Sequence, residues 1–175
     1  SKYKVYIDSK YNKKGKLTYG ELYIKGRSEE EIFFSSYICH PQMVNNELSG
    51  PAVLTGIANQ LKGRDNYYSY RFVFIPETIG SITYLSKNLI HLKKRVIGGF
   101  NLSCLGDERS WGFIPSRYGN NISDRIAKYL LKKNFDNFVE YSWLDRGSDE
   151  RQYCSPGVDL PLSSVTRSKY GEYPE

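Results

Sequence analysis

The sequence predicts an α/β fold, in which a mixed and largely parallel sheet is flanked by helices. Short apolar runs with the composition of buried strands alternate along the chain with segments of helical period. This alternation is typical of parallel strands joined by helical crossovers. Two alternating segments near the start, residues 3–7 and 17–24, are separated by a turn that contains Gly15. They predict a hairpin, which would place antiparallel strands on one side of the sheet.

The segment that organises this fold is residues 32–58. It opens with an apolar, aromatic run that stops at Cys39-His40-Pro41. Because proline cannot donate to a sheet ladder and favours an extended residue before it, His40 is expected where a strand ends and a loop opens. A polar loop follows, and Ser49 is then predicted as the N-cap of a helix with a proline in its first turn.

The remaining elements follow the same two patterns. Residues 70–75 and 96–105 are apolar runs that stop at Pro76 and Gly106, and both are therefore predicted to be buried strands. The other predicted helices are residues 78–88 and 121–133, the later strands are residues 138–144 and 160–165, and residues 147–156 are expected to be a polar loop.

The composition indicates a single folded domain over residues 1–175, with 39% hydrophobic residues. No apolar run reaches the roughly 18 residues of a membrane span. The three cysteines show no C-x-x-C spacing and fit reduced thiols, so we expect a cytoplasmic protein. The net charge is +6, and its basic runs are expected to be solvated surface. A start at serine instead of methionine suggests a fragment of a longer protein.

Polar side chains that can bind a metal follow three of the predicted strands. His40, Glu77 and Asp107 each come shortly after an apolar run. Because parallel strands end at one edge of a sheet, where ligands bind in open α/β folds, we expect these three residues to lie close together. One histidine with two carboxylates suits zinc or a similar divalent ion. Taken singly, each residue is more often a loop or capping residue, and only the repeated placement favours a site.

The order of these residues resembles that of a known family, the co-catalytic zinc aminopeptidases of the bacterial leucyl aminopeptidase and glutamate carboxypeptidase type. The features that carry this resemblance are His40, Asn46-x-x-Ser49-Gly50, Glu77, Asp107 and a Ser-Asp loop at residues 147–158. Longer motifs are similar to a bacterial branch with an aminopeptidase-like domain that is linked to polysaccharide biosynthesis: CHPQMVNNELSGP, FIPETIGSI, GSDERQYCSPGVDLP and YGEYPE.

The resemblance implies a zinc-exopeptidase fold, of the phosphorylase/hydrolase-like kind, with one or two zinc ions in the intact domain. It implies that His40, Asn46 and Asp107 bind metal. It also implies that Glu77 serves as the general base in the hydrolysis of a peptide or an amide-containing small substrate.

The sequence departs from this family at three places. Asn46 stands where the family has the aspartate that bridges two metals, and an amide carries no charge to offset two dications; Glu47 is adjacent, but a shift of one residue points it elsewhere. Thr78 stands where the family has a second glutamate. The family's later histidine is also missing, and His91 is an unlikely substitute because it lies in a helical context. We therefore expect the domain to be impaired or inactive as this fragment, with zinc weakly bound or absent.

Two functions remain open: a zinc-dependent aminopeptidase-like hydrolase, or a non-catalytic binding or scaffold domain that retains the fold and is associated with surface-polysaccharide biosynthesis. A nucleic-acid-binding domain would need aromatic and basic residues interleaved on one strand face. Residues 67–71 are the only such segment, and the run that follows them reads as core. A serine hydrolase is disfavoured because no Gly-x-Ser-x-Gly motif is present. We expect neither a nucleic-acid nor a membrane partner.

Overall fold

The computed structural model describes residues 2–39 and 44–168 of the chain. In chain order the strands are β1 (Gly20–Ile24), β2 (Glu31–Tyr37), β3 (Ser69–Ile75), β4 (Val96–Leu102), β5 (Trp111–Ile114), β6 (Phe138–Glu140) and β7 (Leu162–Thr166). The helices are α1 (Ser49–Leu61), α2 (Ile79–Arg95), α3 (Ile122–Asn134) and α4 (Ser148–Tyr153). None of these helices has the length and apolar character needed to cross a bilayer.

The strands of the described residues form one sheet in the order β1-β3-β2-β4-β7-β5-β6. β2 lies between β3 and β4 and is parallel to both, and β4 is parallel to β7. β1 is antiparallel to β3, and β5 is antiparallel to β7. The predicted fold, a mixed and largely parallel sheet flanked by helices, is therefore confirmed. The carboxyl ends of β2, β3 and β4 lie side by side at one edge.

One face of the sheet packs against α2 and α4. Phe33, Val73 and Ile75 are buried there together with Tyr84 of α2 and Tyr153 of α4. The ring centroids of Phe33 and Tyr153 are 5.3 Å apart in an edge-to-face arrangement, which is favourable for aromatic pairs. This packing holds α4, and the acidic residues that it carries, against the sheet.

The opposite face packs against α1 and α3. Leu54 of α1 is fully buried with Phe72 of β3, and Ala127 and Leu131 of α3 pack with Phe113 of β5. These apolar residues recur at the helical spacing that predicts both helices from the sequence. α1 and α2 therefore lie on opposite faces of the sheet, and the loops that enter them both start at its carboxyl edge.

The predicted opening hairpin is wrong. Residues 3–7 form no strand, and Tyr3 and Ile7 are 88% and 81% exposed. β1 pairs instead with β3, where Leu22 lies opposite Phe72. Alternation over five residues is a weak signal when neither face is buried, whereas β1 gains a complete hydrogen-bonded partner at the edge of the sheet.

The segment 147–156 is not the predicted loop, because it contains α4. Its carboxylates Asp149 and Glu150 are buried, so tertiary contacts override what the polar local pattern indicates. β5 is absent from the predicted elements because its four residues are too few to show a period.

The ends of several elements differ from prediction by a few residues. α2 extends to Arg95, beyond its predicted end, and the strand predicted at residues 96–105 stops at Leu102. Ser49 is the first residue of α1 and not its N-cap. Its hydroxyl accepts a hydrogen bond from the Leu105 N–H at 2.8 Å, which joins α1 to the loop after β4.

Candidate functional site

The candidate site lies at the edge of the sheet where β2, β3 and β4 end. β2 leads to Cys39, β3 leads to Glu77, and β4 leads to the loop that contains Asp107. The sequence predicts that these strand ends share one edge, and the parallel pairing of the three strands places them there. His40, the predicted histidine ligand, lies outside the described residues, so its place in the site stays a prediction.

Asn46 lies in a wide helical turn, Val44–Leu48, that leads directly into α1. Turns of this width are rare and are frequent at functional sites. Oδ1 of Asn46 accepts hydrogen bonds from the hydroxyl of Tyr37, at the end of β2, and from the thiol of Cys104, whose sulfur is 3.8 Å away. Asn46 is therefore held between the end of β2 and the segment that follows β4.

Asp107 lies beside the Asn46 loop, because the N–H of Gly106 donates to Oδ1 of Asn45 over 2.7 Å. Its carboxylate is bound by Arg109: Nη2 lies 2.6 Å from Oδ2, and the backbone N–H lies 2.7 Å from Oδ1. The hydrogen bonds from the guanidinium, followed by the one from the backbone, lower the pKa of Asp107 to about 2. Asp107 is thus an anion that already has a cation partner within the chain.

Glu47 also contributes a carboxylate to this edge. Its side chain is buried, and Oε2 accepts the Cys39 N–H at 2.5 Å, directly beside His40 in the sequence. Burial raises the pKa of the Cys39 thiol, and the negative charges of Glu47, Glu77 and Asp149 raise it further. Cys39 is therefore the point at which the carboxylates of three different segments come near one another.

Glu77 stands at the end of β3 on an unusual turn. Its N–H donates to Sγ of Cys39 at 2.9 Å, which connects it to the end of β2. The next residue, Thr78, has φ +60° and ψ −64°, and the Ile79 N–H donates back to the Glu77 carbonyl over 2.6 Å. These values define a γ-turn of the rare, strained kind, which is exceptional for a β-branched residue. Such strain is concentrated at functional sites, which supports Glu77 as a site residue.

Two buried carboxyl groups from α4, neither of them among the predicted site residues, lie beside this turn. Oδ1 of Asp149 accepts the Thr78 N–H at 2.7 Å. Burial raises the pKa of Asp149 to about 7, and the charges of Glu150 and Glu77 contribute to the rise. Burial likewise raises the pKa of Glu150, whose Oε2 lies 3.3 Å from Nδ2 of Asn101. Glu77 thus belongs to a group of three interacting carboxyl groups.

The described residues do not form a metal site by themselves. Within residues 2–39 and 44–168, no group of three His, Cys, Asp and Glu side chains is arranged to hold a metal ion. Asp107 is paired with Arg109, and Oδ1 of Asn46 accepts hydrogen bonds from two protein groups. This donor set does not fit zinc without His40, and the zinc site stays a prediction.

His91, the other histidine, lies away from this edge. Its Nε2 is 2.8 Å from Oε1 of Glu31, the first residue of β2 and thus at the opposite end of that strand. Glu31 is buried and also accepts a hydrogen bond from Nε of Arg71 at 2.6 Å. His91 therefore belongs to a structural hydrogen-bonded cluster with Glu31 and Arg71, in line with the expectation that it does not replace the family's later histidine.

The fold and the site together define a protein of the aminopeptidase-like α/β class. A zinc aminopeptidase from Bacillus subtilis has a TM-score of 0.65 and 16% identity over 90% of this chain and 41% of that chain, which shows a shared fold. A crystal structure from Clostridium acetobutylicum, named as a peptidase, has a TM-score of 0.84 and 42% identity over 89% of this chain and 36% of that chain.

Residues 8–175 match the family described as Domain of unknown function (DUF4910), and the chain belongs to this family. A Clostridium acetobutylicum relative, named for polysaccharide biosynthesis and an aminopeptidase-like domain, is 44% identical over 169 residues. This match covers 97% of the chain and 38% of the relative, so the chain spans little more than a third of the relative's length. The predicted relationship to this aminopeptidase-like branch is confirmed.

Proposed function

We propose that the chain is the core of a zinc-dependent aminopeptidase-like hydrolase domain in which Glu77 is the general base. The observation that carries this proposal is the position of Glu77. It lies on a strained turn at the carboxyl end of a parallel strand, and it is bonded to the end of the neighbouring strand through Cys39. The names of the relatives support the class of reaction.

The task of Glu77 in this proposal is proton transfer. A water molecule that attacks a peptide or amide carbonyl must lose a proton, and a carboxylate within hydrogen-bond distance can accept it. Asp149, with a pKa of about 7, is partly protonated at neutral pH. It therefore places less negative charge at this edge of the sheet than a fully ionised carboxylate would.

The zinc requirement rests on the resemblance of the motifs to zinc aminopeptidases. His40, Asn46 and Asp107 are the proposed ligands, and Asn46 contributes no charge. Because the described residues do not complete a site, we assign no step of the reaction to the metal. We further propose a peptide or an amide-containing small molecule as substrate, without a nucleic-acid or membrane partner, and a cytoplasmic location.

The test uses the full-length protein. Its zinc content is measured by elemental analysis, and its hydrolysis of aminoacyl amides and short peptides is measured with added zinc and with a chelator. We expect hydrolysis that zinc restores and the chelator removes. Robust hydrolysis that is insensitive to the chelator would overturn the zinc requirement, and a zinc-loaded protein that hydrolyses no member of the substrate panel would overturn the hydrolase assignment.

The second candidate function is a binding or scaffold domain that retains the fold without catalysis. The pairing of Asp107 with Arg109 favours it, because the protein's own cation neutralises a predicted metal ligand. Because a relative is named for polysaccharide biosynthesis, we propose that such a role would belong to that process. A folded full-length protein that takes up no zinc and hydrolyses no substrate would support this function over the first.

A further inference from the structure

The backbone N–H of Thr78, in the turn that carries Glu77, needs a hydrogen-bond acceptor that α2 does not provide. The first turn of α2 is completed by backbone hydrogen bonds from Gly80 to Pro76 at 2.9 Å and from Ile82 to Thr78 at 3.0 Å. Neither bond uses the N–H of Thr78, which follows Glu77 directly. Because Thr78 is a β-branched residue with a positive φ, its conformation persists only if the surroundings hold it there.

Asp149 supplies this acceptor from 71 residues further along the chain. The residue is fully buried, and its Oδ1 lies 2.7 Å from the Thr78 nitrogen. Ser148, which precedes it, also has a positive φ, of 46°, so non-glycine residues in the left-handed region stand on both sides of this bond. The contact therefore joins the start of α2 to the start of α4.

The other oxygen of Asp149 has no such partner. Oδ2 is buried and accepts no hydrogen bond from the described residues. The nearby Ser81 hydroxyl donates to the Thr78 carbonyl at 2.9 Å, and its interaction with Asp149 lowers the pKa of that carboxyl group. Burial of a half-satisfied carboxyl group is costly, and its hydrogen bond to the turn that carries Glu77 is the role that the structure gives this side chain.

We propose that Asp149 is a positioning residue that fixes the Glu77 carboxylate for proton transfer; this inference rests on the proposed role of Glu77. The bonded N–H belongs to the planar peptide unit between Glu77 and Thr78. Holding that plane sets ψ of Glu77 and the direction in which its side chain leaves the backbone. A displacement of about 1 Å at a catalytic group can cost about a hundredfold in rate.

The protonation of Asp149 is compatible with this role. Burial raises its pKa to about 7, with contributions from Glu150 and Glu77, so both ionisation states are present near neutral pH. The carbonyl oxygen of a protonated carboxyl group accepts a hydrogen bond as the carboxylate does, although less strongly. The Thr78 N–H therefore keeps its acceptor in either state.

The test compares Asp149→Ala with Asp149→Asn in the full-length protein. Alanine removes the acceptor, whereas asparagine keeps a carbonyl oxygen in place. We expect Asp149→Ala to lower kcat by about a hundredfold with KM changed by less than about threefold, and Asp149→Asn to lower kcat by less than about tenfold. Asp159→Asn is the matched control, since it makes the same change at another residue of positive φ that pairs with Arg117.

Crystal structures of the same variants separate this inference from the proposed function. In Asp149→Ala, we expect φ of Thr78 to become negative and the Glu77 carboxylate to move, with no movement in Asp149→Asn or Asp159→Asn. An unmoved Glu77 in Asp149→Ala would overturn the inference whatever the activity. If the wild-type protein is inactive, the proposed function fails, and a displaced Glu77 still supports the positioning contact.

A measurement on the unmodified protein applies even if Asp149→Ala does not fold. Amide hydrogen exchange at Thr78 should be as slow as at Gly80 and Ile82, whose N–H groups are bonded within the turn. Fast exchange at Thr78 beside slow exchange at the other two would show that the bond to Asp149 does not persist, and it would overturn the inference.

Discussion

The Thr78 nitrogen and Oδ1 of Asp149 are 2.7 Å apart, so the turn after β3 is bonded to the first turn of α4. This contact brings the residue before the turn, Glu77, into a group of carboxyl groups that the sheet alone would not create. The strand ends supply one side of the site, and α4 supplies the other.

Replacement of Thr78 by glycine should raise the free energy of unfolding, because glycine adopts a positive φ without the steric cost borne by a β-branched residue. We expect a gain of up to about 1 kcal/mol. Thr83→Gly is the matched control within α2, where glycine should lower the free energy of unfolding by about 0.3 kcal/mol. Urea unfolding of both variants measures this, and a Thr78→Gly protein less stable than wild type would contradict the prediction.

The stability of the protein should depend on pH through Asp149. Its folded pKa, about 7, lies above the roughly 3.9 of an unfolded aspartate. The folded state therefore binds the proton more tightly, and this contribution is full below about pH 4 and is lost as the pH rises through 7. Relative to that of wild type, the free energy of unfolding of Asp149→Asn should rise by more than about 1 kcal/mol between pH 4.5 and 7.5. The free energy of unfolding is measured for both proteins at the two pH values. The same difference between Asp149→Asn and wild type at pH 4.5 and at pH 7.5 would contradict this prediction.

A carboxylate at position 46 should strengthen zinc binding by the full-length protein. Both groups bonded to Oδ1 of Asn46, the Tyr37 hydroxyl and the Cys104 thiol, are donors, so an aspartate can keep both hydrogen bonds. We expect Asn46→Asp to lower the Kd for zinc by about tenfold, as measured by competition with a chelator. Asn59→Asp, on the exposed side of α1, should leave the Kd unchanged. Equal effects of both changes on the Kd would show that zinc binding responds only to net charge, which would contradict a metal ligand at position 46.

Truncation of Leu54 should test the packing of α1 against the sheet. Leu54 is fully buried with Phe72, and Leu54→Ala should lower the free energy of unfolding by about 2–5 kcal/mol. Val53 is 41% exposed on the same helix, and Val53→Ala should change the free energy of unfolding by about 0.5 kcal/mol or less. Thermal or denaturant unfolding of the two variants measures the difference, and similar losses would contradict the packing of α1.

The sheet edge could be predicted from the sequence because its signals are local. Apolar runs that stop at Pro41 and Pro76 mark the ends of strands, and the alternation with helices predicts that these strands are parallel. Glu77 and Asp107 could therefore be assigned to one edge before their surroundings were known. The prediction of a strand at residues 3–7 is wrong because their alternating pattern has no neighbouring strand against which to bury a face.

The rest of the site depends on contacts between distant segments. Asp149 and Glu150 lie in a polar stretch that is typical of a solvated loop, and their burial follows from the packing of α4 against α2 and the sheet. Glu47 returns to the end of β2 through a wide turn that no sequence period marks. The adjacent acidic pair 149–150 within the Ser-Asp loop was the only available signal, and a pair of this kind is more often exposed.

The most direct test of the central claim is the turnover of the zinc-loaded, full-length protein with Glu77→Gln. Glutamine keeps the size of the side chain and cannot accept the proton, so we predict a loss of more than about a hundredfold in kcat with zinc retained. Glu30→Gln, an exposed change beside the opposite end of β2, should behave as wild type. Glu77→Gln activity within about threefold of wild type would contradict the role of Glu77 as base, and a joint loss of zinc and turnover would identify Glu77 as a ligand instead.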